Sequence, residues 1–156
     1  MKKRNWTIFI CGLVFVFSAF AVWRASFSKY ETAYAASAAS NELQLLARCV
    51  NGEARGEPYT GQVAVGAVIL NRVRHPSFPN TVSGVLFQPG AFSPVADGQF
   101  YRVTITDSAR RAAQDALNGW DPTGGAIYFY NPAKSTSKWI FSRPVVLTLG
   151  EHVFAK

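Results

Sequence analysis

Two carboxylates four positions apart are the first candidates for chemistry. They are Glu53 and Glu57, in the run Asn51-Gly52-Glu53-Ala54-Arg55-Gly56-Glu57-Pro58. A carboxyl at the edge of a cleft can have its pKa raised by apolar walls, and it then serves as a general acid near neutral pH. Without such a setting, Glu53 is an ordinary helix-end carboxylate paired with Arg48 or Arg55. Glu57 is its rival, or simply a loop acceptor for backbone N–H groups. Two carboxylates suit a glycosidase, at about 5 Å for retention or wider for inversion. The spacing does not fix that distance, because Pro58 breaks the helical register. One acid suffices where the substrate supplies its own nucleophile. A sugar C6 hydroxyl can attack the anomeric carbon while one group protonates the leaving oxygen and then accepts the hydroxyl proton.

Other constellations are weaker. His75 and His152 are the two histidines, and neither sits in a His-x-x-x-His or His-Glu-x-x-His spacing, so no zinc site and no other metal or cofactor is expected. Cys49 lies on an apolar helix face, where a buried inert thiol is the ordinary outcome. There is no Gly-x-Ser-x-Gly elbow and no phosphate-binding glycine loop. Asp97 and Asp121 stand near turns, and Asp97 before Gly98 reads first as a turn residue. Aromatics are 14% of the chain, enough to line a saccharide cleft as well as a core. Tyr59, Tyr130 and Trp139 are among the candidates, with Trp139 in a Ser/Lys-rich loop the best placed.

These residues need elements to hold them. Ser40 or Asn41 can cap a helix from Glu42, with Leu43, Leu46, Cys49 and Val50 on one face, ending between Asn51 and Gly56. A second helix fits Thr60 to Arg74, where Gly61 and Gly66 permit close packing and His75-Pro76 ends it. A short helix fits Thr81 to Phe87. Asp97-Gly98 between apolar flanks suggests a hairpin over Phe92 to Val103. Thr106 or Asp107 can cap a third main helix, Ser108 to Asn118, closed by Gly119. Ala126–Tyr130, Val145–Leu149 and His152–Phe154 read as strands, with Gly150 at a turn. Helices followed by a small sheet make an α+β fold.

The N-terminus has a different character. Met1-Lys2-Lys3-Arg4 precedes an apolar run, and Ala19-Phe20-Ala21 or Ala33-Tyr34-Ala35 offers a small-x-small cleavage site. Residues 1–35 therefore read as a signal peptide, or an N-terminal membrane anchor through residues 7–23, plus linker. Either reading exports the body. Ser26 to Asn41, rich in Ala, Ser and Thr, reads as linker, so the functional domain begins near Asn41 and occupies 42–156. Five Lys/Arg and one acid fall in residues 1–35, out of a net +7. The remainder is mildly basic, which suits an anionic wall polymer and is too weak to argue for nucleic acid.

The run from Asn51 to Arg72 closely resembles the catalytic domain of the spore cortex-lytic enzymes and cell wall hydrolases of the SleB/CwlJ type. So do Phe78-Pro79-Asn80, Gln88-Pro89-Gly90-Ala91-Phe92, Val95-Ala96-Asp97-Gly98-Gln99, Asn118-Gly119-Trp120-Asp121-Pro122 and Tyr128-Phe129-Tyr130-Asn131-Pro132. Ser137-Lys138-Trp139-Ile140, Arg143-Pro144 and His152-Val153-Phe154 complete the match, in order, from about residue 42 to 156. The resemblance implies a lysozyme-like fold related to lytic transglycosylases and resuscitation-promoting factors. It also implies cleavage of peptidoglycan glycan strands in spore cortex or cell wall during germination, with no cofactor. It assigns the catalytic acid to Glu53 and makes Glu57, Tyr59, Gln62, Asp97, Tyr130 and Trp139 candidates for substrate binding. An N-terminal peptidoglycan-binding domain seen in longer relatives has no counterpart here. The alternative is a non-catalytic wall-binding or germination-accessory protein on the same fold; an unidentified accessory germination protein is a candidate partner. Ala155 stands where several relatives are expected to carry a cysteine.

Overall fold

A computed structural model of the chain describes residues 4–92, 95, 98 and 100–156, with side chains from residue 23 onward. The chain divides into two units, Met1–Ser40 and Asn41–Lys156. Helix α1 spans Arg4–Glu53. The linker expected over Ser26–Asn41 is therefore helical. The segment from Arg24 to Asn41 has no Gly or Pro to interrupt a helix, and its six alanines are the strongest helix formers. Trp23, Phe27, Tyr30 and Tyr34 are exposed along it, with Trp23 stacked on Phe27 at 5.7 Å. Among the described residues no helix is long and apolar enough to cross a membrane.

In the second unit, the end of α1 packs with α2 (Tyr59–Arg74), α3 (Val82–Leu86) and α4 (Asp107–Leu117). Leu46, Cys49 and Val50 of α1 are fully buried, on the face that the apolar spacing marks. In α2 every residue from Val63 to Leu70 is buried, so this helix is the centre of the core. Its small residues work as expected. A Cβ at Gly66 would come within 3.1 Å of Ala116 Cβ and 3.5 Å of Val50 Cγ2, so glycine lets α2 lie close to α4 and α1 at once. Helix α4 presents Ala109, Ala112, Ala113 and Ala116 to the core.

The helix ends follow local chemistry. Thr81 Oγ1 accepts from Gly84 N–H at 3.0 Å and Thr106 Oγ1 from Ala109 N–H at 3.2 Å, two side-chain N-caps. Helix α4 closes at Asn118 with Gly119 at φ 100°, a conformation that glycine takes without steric cost. Buried Asn51 accepts the Thr106 N–H at 3.0 Å, so the motif around Glu53 also fixes the entry of α4.

The sheet has the order β1–β3–β2, all antiparallel, from β1 (Tyr128–Tyr130), β2 (Val145–Leu149) and β3 (His152–Ala155). Phe129 pairs with Phe154, and Leu149 with His152 across the Gly150 turn. Central β3 buries His152, Phe154 and Ala155. Phe154 alone contributes about 2–3 kcal/mol by leaving water. A short 3₁₀ helix, Ile140–Ser142, precedes β2. The fold is α+β, as expected. The hairpin expected over 92–103 falls partly outside the described residues; those described there are helical at Val95 and otherwise turn or irregular backbone, with none in a strand. Asp-Gly is a local turn signal, and a turn does not by itself pair its flanks. Asp97 lies outside the described residues.

Candidate active site

Glu53 is the last residue of α1 and is half-buried. The chain then turns tightly. Ala54 N–H donates to Val50 O at 2.8 Å, Glu57 N–H donates to Ala54 O at 3.0 Å, and Gly56 takes φ 98°. Pro58 leads into α2, where its missing N–H has no consequence. This turn forms one side of a cleft of about 370 Å³. The β2–β3 turn forms the other, so Glu53, Arg55 and Glu57 face Lys134, Glu151 and His152.

Glu57 joins the two sides. Its Oε2 accepts the Glu151 N–H at 3.0 Å, across 94 positions of sequence. Its Oε1 lies 3.6 Å from His152 Nδ1, and both side chains are about nine-tenths buried. Its carbonyl accepts from Gln62 Nε2 at 3.0 Å. The approach is so close that a Cβ at Gly150 would overlap Glu57 Oε2. Glu57 therefore has the loop-acceptor geometry, in the wall of the cleft.

His152 Nδ1 is buried without a hydrogen bond. Burial lowers the pKa of this imidazole from its usual 6.5; Glu57 opposes the shift, Lys134 adds to it and Glu151 opposes it. On the exposed rim, Glu151 Oε2 accepts from Asn131 Nδ2 at 2.9 Å and lies 3.5 Å from Lys134 Nζ. Lys134, Glu151 and His152 were not among the expected site residues. They reach the cleft through the sheet, and the cue in sequence was Gly150, whose turn brings the next two residues beside Glu57.

The other expected site residues have different surroundings. Tyr59 OH donates to Asp115 Oδ2 at 2.6 Å, and this bond is the main reason its pKa rises. Gln62 links Glu57 O to the Ser108 hydroxyl, which donates to Gln62 Oε1 at 2.9 Å. Tyr130 meets Phe141 edge-on at 5.3 Å, and exposed Trp139 meets Tyr128 edge-on at 5.1 Å with Arg143 over its ring. Of the expected set, the cleft brings together Glu53 and Glu57.

Beneath Glu53, Arg72 donates to Ile127 O at 2.7 Å and lies over Phe78, Phe92 and Tyr128 at 5.2–5.7 Å from the ring centres. Burial lowers the guanidinium pKa, while Tyr128, Cys49 and the Glu53 carboxylate favour its charged form. Burial raises the Cys49 thiol well above its usual value, and the Glu53 charge adds to that. A thiol of that kind is a poor nucleophile. Among the described residues no group of three His, Cys, Asp or Glu could hold a metal ion.

Known proteins resemble this chain in sequence and in fold. The family model for cell wall hydrolases matches residues 56–155. The chain is 60% identical over 116 residues to a spore cortex-lytic enzyme of Bacillus cereus, covering 74% of this chain and 44% of that enzyme. It is 31% identical over 124 residues to the cell wall hydrolase CwlJ of Bacillus subtilis, covering 75% of this chain and 86% of that protein. The chain thus spans less than half the length of the cortex-lytic relative and most of CwlJ. The crystal structure of the catalytic domain of Bacillus cereus SleB matches with a TM-score of 0.71 at 60% identity, over 75% of this chain and 91% of that one. The catalytic domain of a germination-specific lytic transglycosylase, SleB from Bacillus anthracis, matches at 0.71 and 59%, over 74% and 94%. With a family model covering most of the chain and a 31% identical relative covered nearly end to end, the chain belongs to the cell wall hydrolase family.

Proposed function

We propose that the chain cleaves the glycan strands of peptidoglycan, in spore cortex or cell wall, as a lytic transglycosylase with Glu53 as its single general acid and base. The supporting observation is the unequal placement of the two carboxylates. Glu53 stands at the cleft at the end of α1, whereas Glu57 is buried with one oxygen on the Glu151 N–H and the other beside His152. A carboxylate held in that way is poorly suited to activate water or attack a sugar. The family supports an enzyme that acts on the cell wall, and the description of the Bacillus anthracis relative as a lytic transglycosylase supports the finer reading.

In this reading Glu53 protonates the glycosidic oxygen as the bond to the anomeric carbon breaks. The substrate's acetamido group helps to stabilise the cation-like centre. The C6 hydroxyl then closes on that carbon and gives its proton to Glu53, which returns to its starting state. The product is a 1,6-anhydro sugar, with no water consumed. Glu57 positions the cleft wall. Gln62 supports it through the Glu57 carbonyl, and Tyr59, Asp97, Tyr130 and Trp139 are further candidates for contact with the strand. The basic start and apolar run of residues 1–23 support export, as a cleaved signal or a retained anchor.

Mass spectrometry of digested spore cortex and of vegetative sacculi tests the reading. Wild type should yield anhydro-muramic ends. Glu53→Gln should lose at least about a hundredfold in rate, the scale of general acid–base catalysis, while melting at an unchanged temperature. Reducing ends would make the enzyme a hydrolase. A wild-type rate in Glu53→Gln would remove that residue from the role.

A further inference from the structure

A second concavity, of about 320 Å³, lies away from the Glu53 cleft, and three arginines line it. Arg48 comes from α1, Arg102 from the loop before α4, and Arg110 from α4 itself. Tyr101, Val103 and Ile105 supply apolar wall, and among the described residues no acid lines it. Arg48 is fixed: its Nη1 donates to the carbonyls of Phe100 at 3.3 Å and Tyr101 at 3.5 Å, and its guanidinium lies 5.6 Å from the centre of the Tyr101 ring. Those bonds use one of its three nitrogens. Arg102 and Arg110 are exposed. Among the described residues none of the three takes part in an ion pair. Asp97 is the one acid in the sequence outside the described residues, and one carboxylate does not balance three cations.

Three like charges on one small concavity repel each other unless an anion joins them, and a guanidinium fork matches a carboxylate in geometry. Arg48 precedes Glu53 by five residues on the same helix, about 7.5 Å along its axis. At about 100° per residue the two also stand about 140° apart around that axis, so a substituent of a strand bound at Glu53 must pass around α1 to reach the pocket. We propose that this pocket binds a free carboxylate of the peptide stems carried by the glycan, with Arg102 and Arg110 as its specificity-determining residues. The proposal rests on the reading of the Glu53 cleft as a glycan site. A stem peptide fits better than a phosphodiester polymer. A polyanion is tracked by a row of cations, whereas these three line one small concavity together with Val103 and Ile105, whose side chains suit the aliphatic part of a peptide.

The test uses the full chain and stem peptides released from sacculi by an amidase, with binding followed by titration calorimetry. Wild type and Glu53→Gln should bind alike. The double variant Arg102→Gln/Arg110→Gln should bind about tenfold more weakly, as expected for lost charge-assisted hydrogen bonds. Amidating the peptide's free carboxylates should weaken wild-type binding by a similar factor. This second arm needs no variant and is immune to a folding defect. Equal binding of amidated and free peptide overturns the proposal, as does undiminished binding by a folded double variant. Tighter binding of poly(glycerol phosphate) than of stem peptide, lost in the double variant, also overturns it and assigns the pocket to a phosphodiester polymer. Stem binding without any glycan cleavage by wild type would leave the pocket standing and remove the glycosidase reading instead.

Discussion

The turn after α1 and the loop from Asp121 to Ala126 both place a carboxylate beside glycines, and they use it differently. Asp121 is enclosed by donors. Its Oδ1 accepts from Thr123 N–H at 2.8 Å and from the Thr123 hydroxyl at 2.6 Å, and its Oδ2 accepts from Asn71 Nδ2 and Gly125 N–H, both at 2.9 Å. Burial alone would raise its pKa. The bonds from Thr123, Asn71 and Gly125 outweigh burial and hold it below the usual 3.8. Asn71 also donates to Ala126 O, so the knot ties α2 to the strand region. In the turn after α1, by contrast, Glu57 has one backbone donor and one histidine neighbour, and Glu53 sits half-buried at a cleft. The difference is between a carboxylate that organises backbone and a region that organises a cavity. Counting converging donors separates the two roles better than burial does.

The largest effect should come from dismantling the knot. Asp121→Ala leaves Asn71 Nδ2 with one acceptor, and removes the partner of the Thr123 and Gly125 N–H groups. The expected loss is about 3 kcal/mol of stability, from several bonds to one charged group, read by urea unfolding. Glycan cleavage per folded molecule should stay within about twofold of wild type, because the knot does not line the cleft. A stable Asp121→Ala protein with impaired cleavage would reverse the assignment of the two regions.

Much of this contrast was legible in sequence, for identifiable reasons. The apolar face of α1, the boundaries of α2, the caps at Thr81 and Thr106 and the closing Gly119 are local chemistry, so spacing and residue type sufficed. Glu53 was found through its motif and the break at Gly56 to Pro58. The Ala/Ser-rich stretch before Asn41 was misread because composition was weighed above the absence of helix breakers. The 92–103 stretch, expected as a hairpin from its turn signal, has no strand among its described residues, and Asp97 lies outside them. The opposite wall of the cleft was legible only as the turn at Gly150. Glu151 and His152 meet Glu57 only once β2 and β3 have formed, and nothing in the spacing of residues 94 apart encodes that approach.

A matched pair of glycines can sharpen the comparison. Gly150 in the cleft wall and Gly124 in the knot loop have the same backbone conformation, φ 58° and 59°. Alanine at either should cost about 1–2 kcal/mol from left-handed strain. A Cβ at Gly124 would meet nothing within 4 Å, whereas one at Gly150 would overlap Glu57 Oε2. Gly150→Ala should therefore be the less stable of the two in the same unfolding assay, by roughly a further 1 kcal/mol as Glu57 and its backbone bond are displaced. It should also slow glycan cleavage, whereas Gly124→Ala should not. Equal stability with equal activity would mean that the Glu57 wall is soft and does not hold the cleft.

The smallest effect separates the regions by pH. His152 has a folded pKa below its usual 6.5, so the unfolded chain binds more protons in the interval between the two values. The stability this contributes is present above pH 6.5 and is lost as the pH falls through the folded value. Asp121 also has a lowered pKa, but its reference is 3.8, so its contribution persists until much stronger acid. Acidification should then weaken the cleft wall first and the knot later. Unfolding free energies measured by urea at pH 7.5 and 5.5 should fall for wild type, and the fall should be reduced in His152→Gln, which cannot titrate. Between pH 5 and 3 the two proteins should decline together, since both retain Asp121. An unchanged slope in His152→Gln across the upper interval would mean that the imidazole has the same pKa folded and unfolded, whereas a steeper fall in His152→Gln would mean that it is protonated beside Glu57 and that the wall is held by an ion pair.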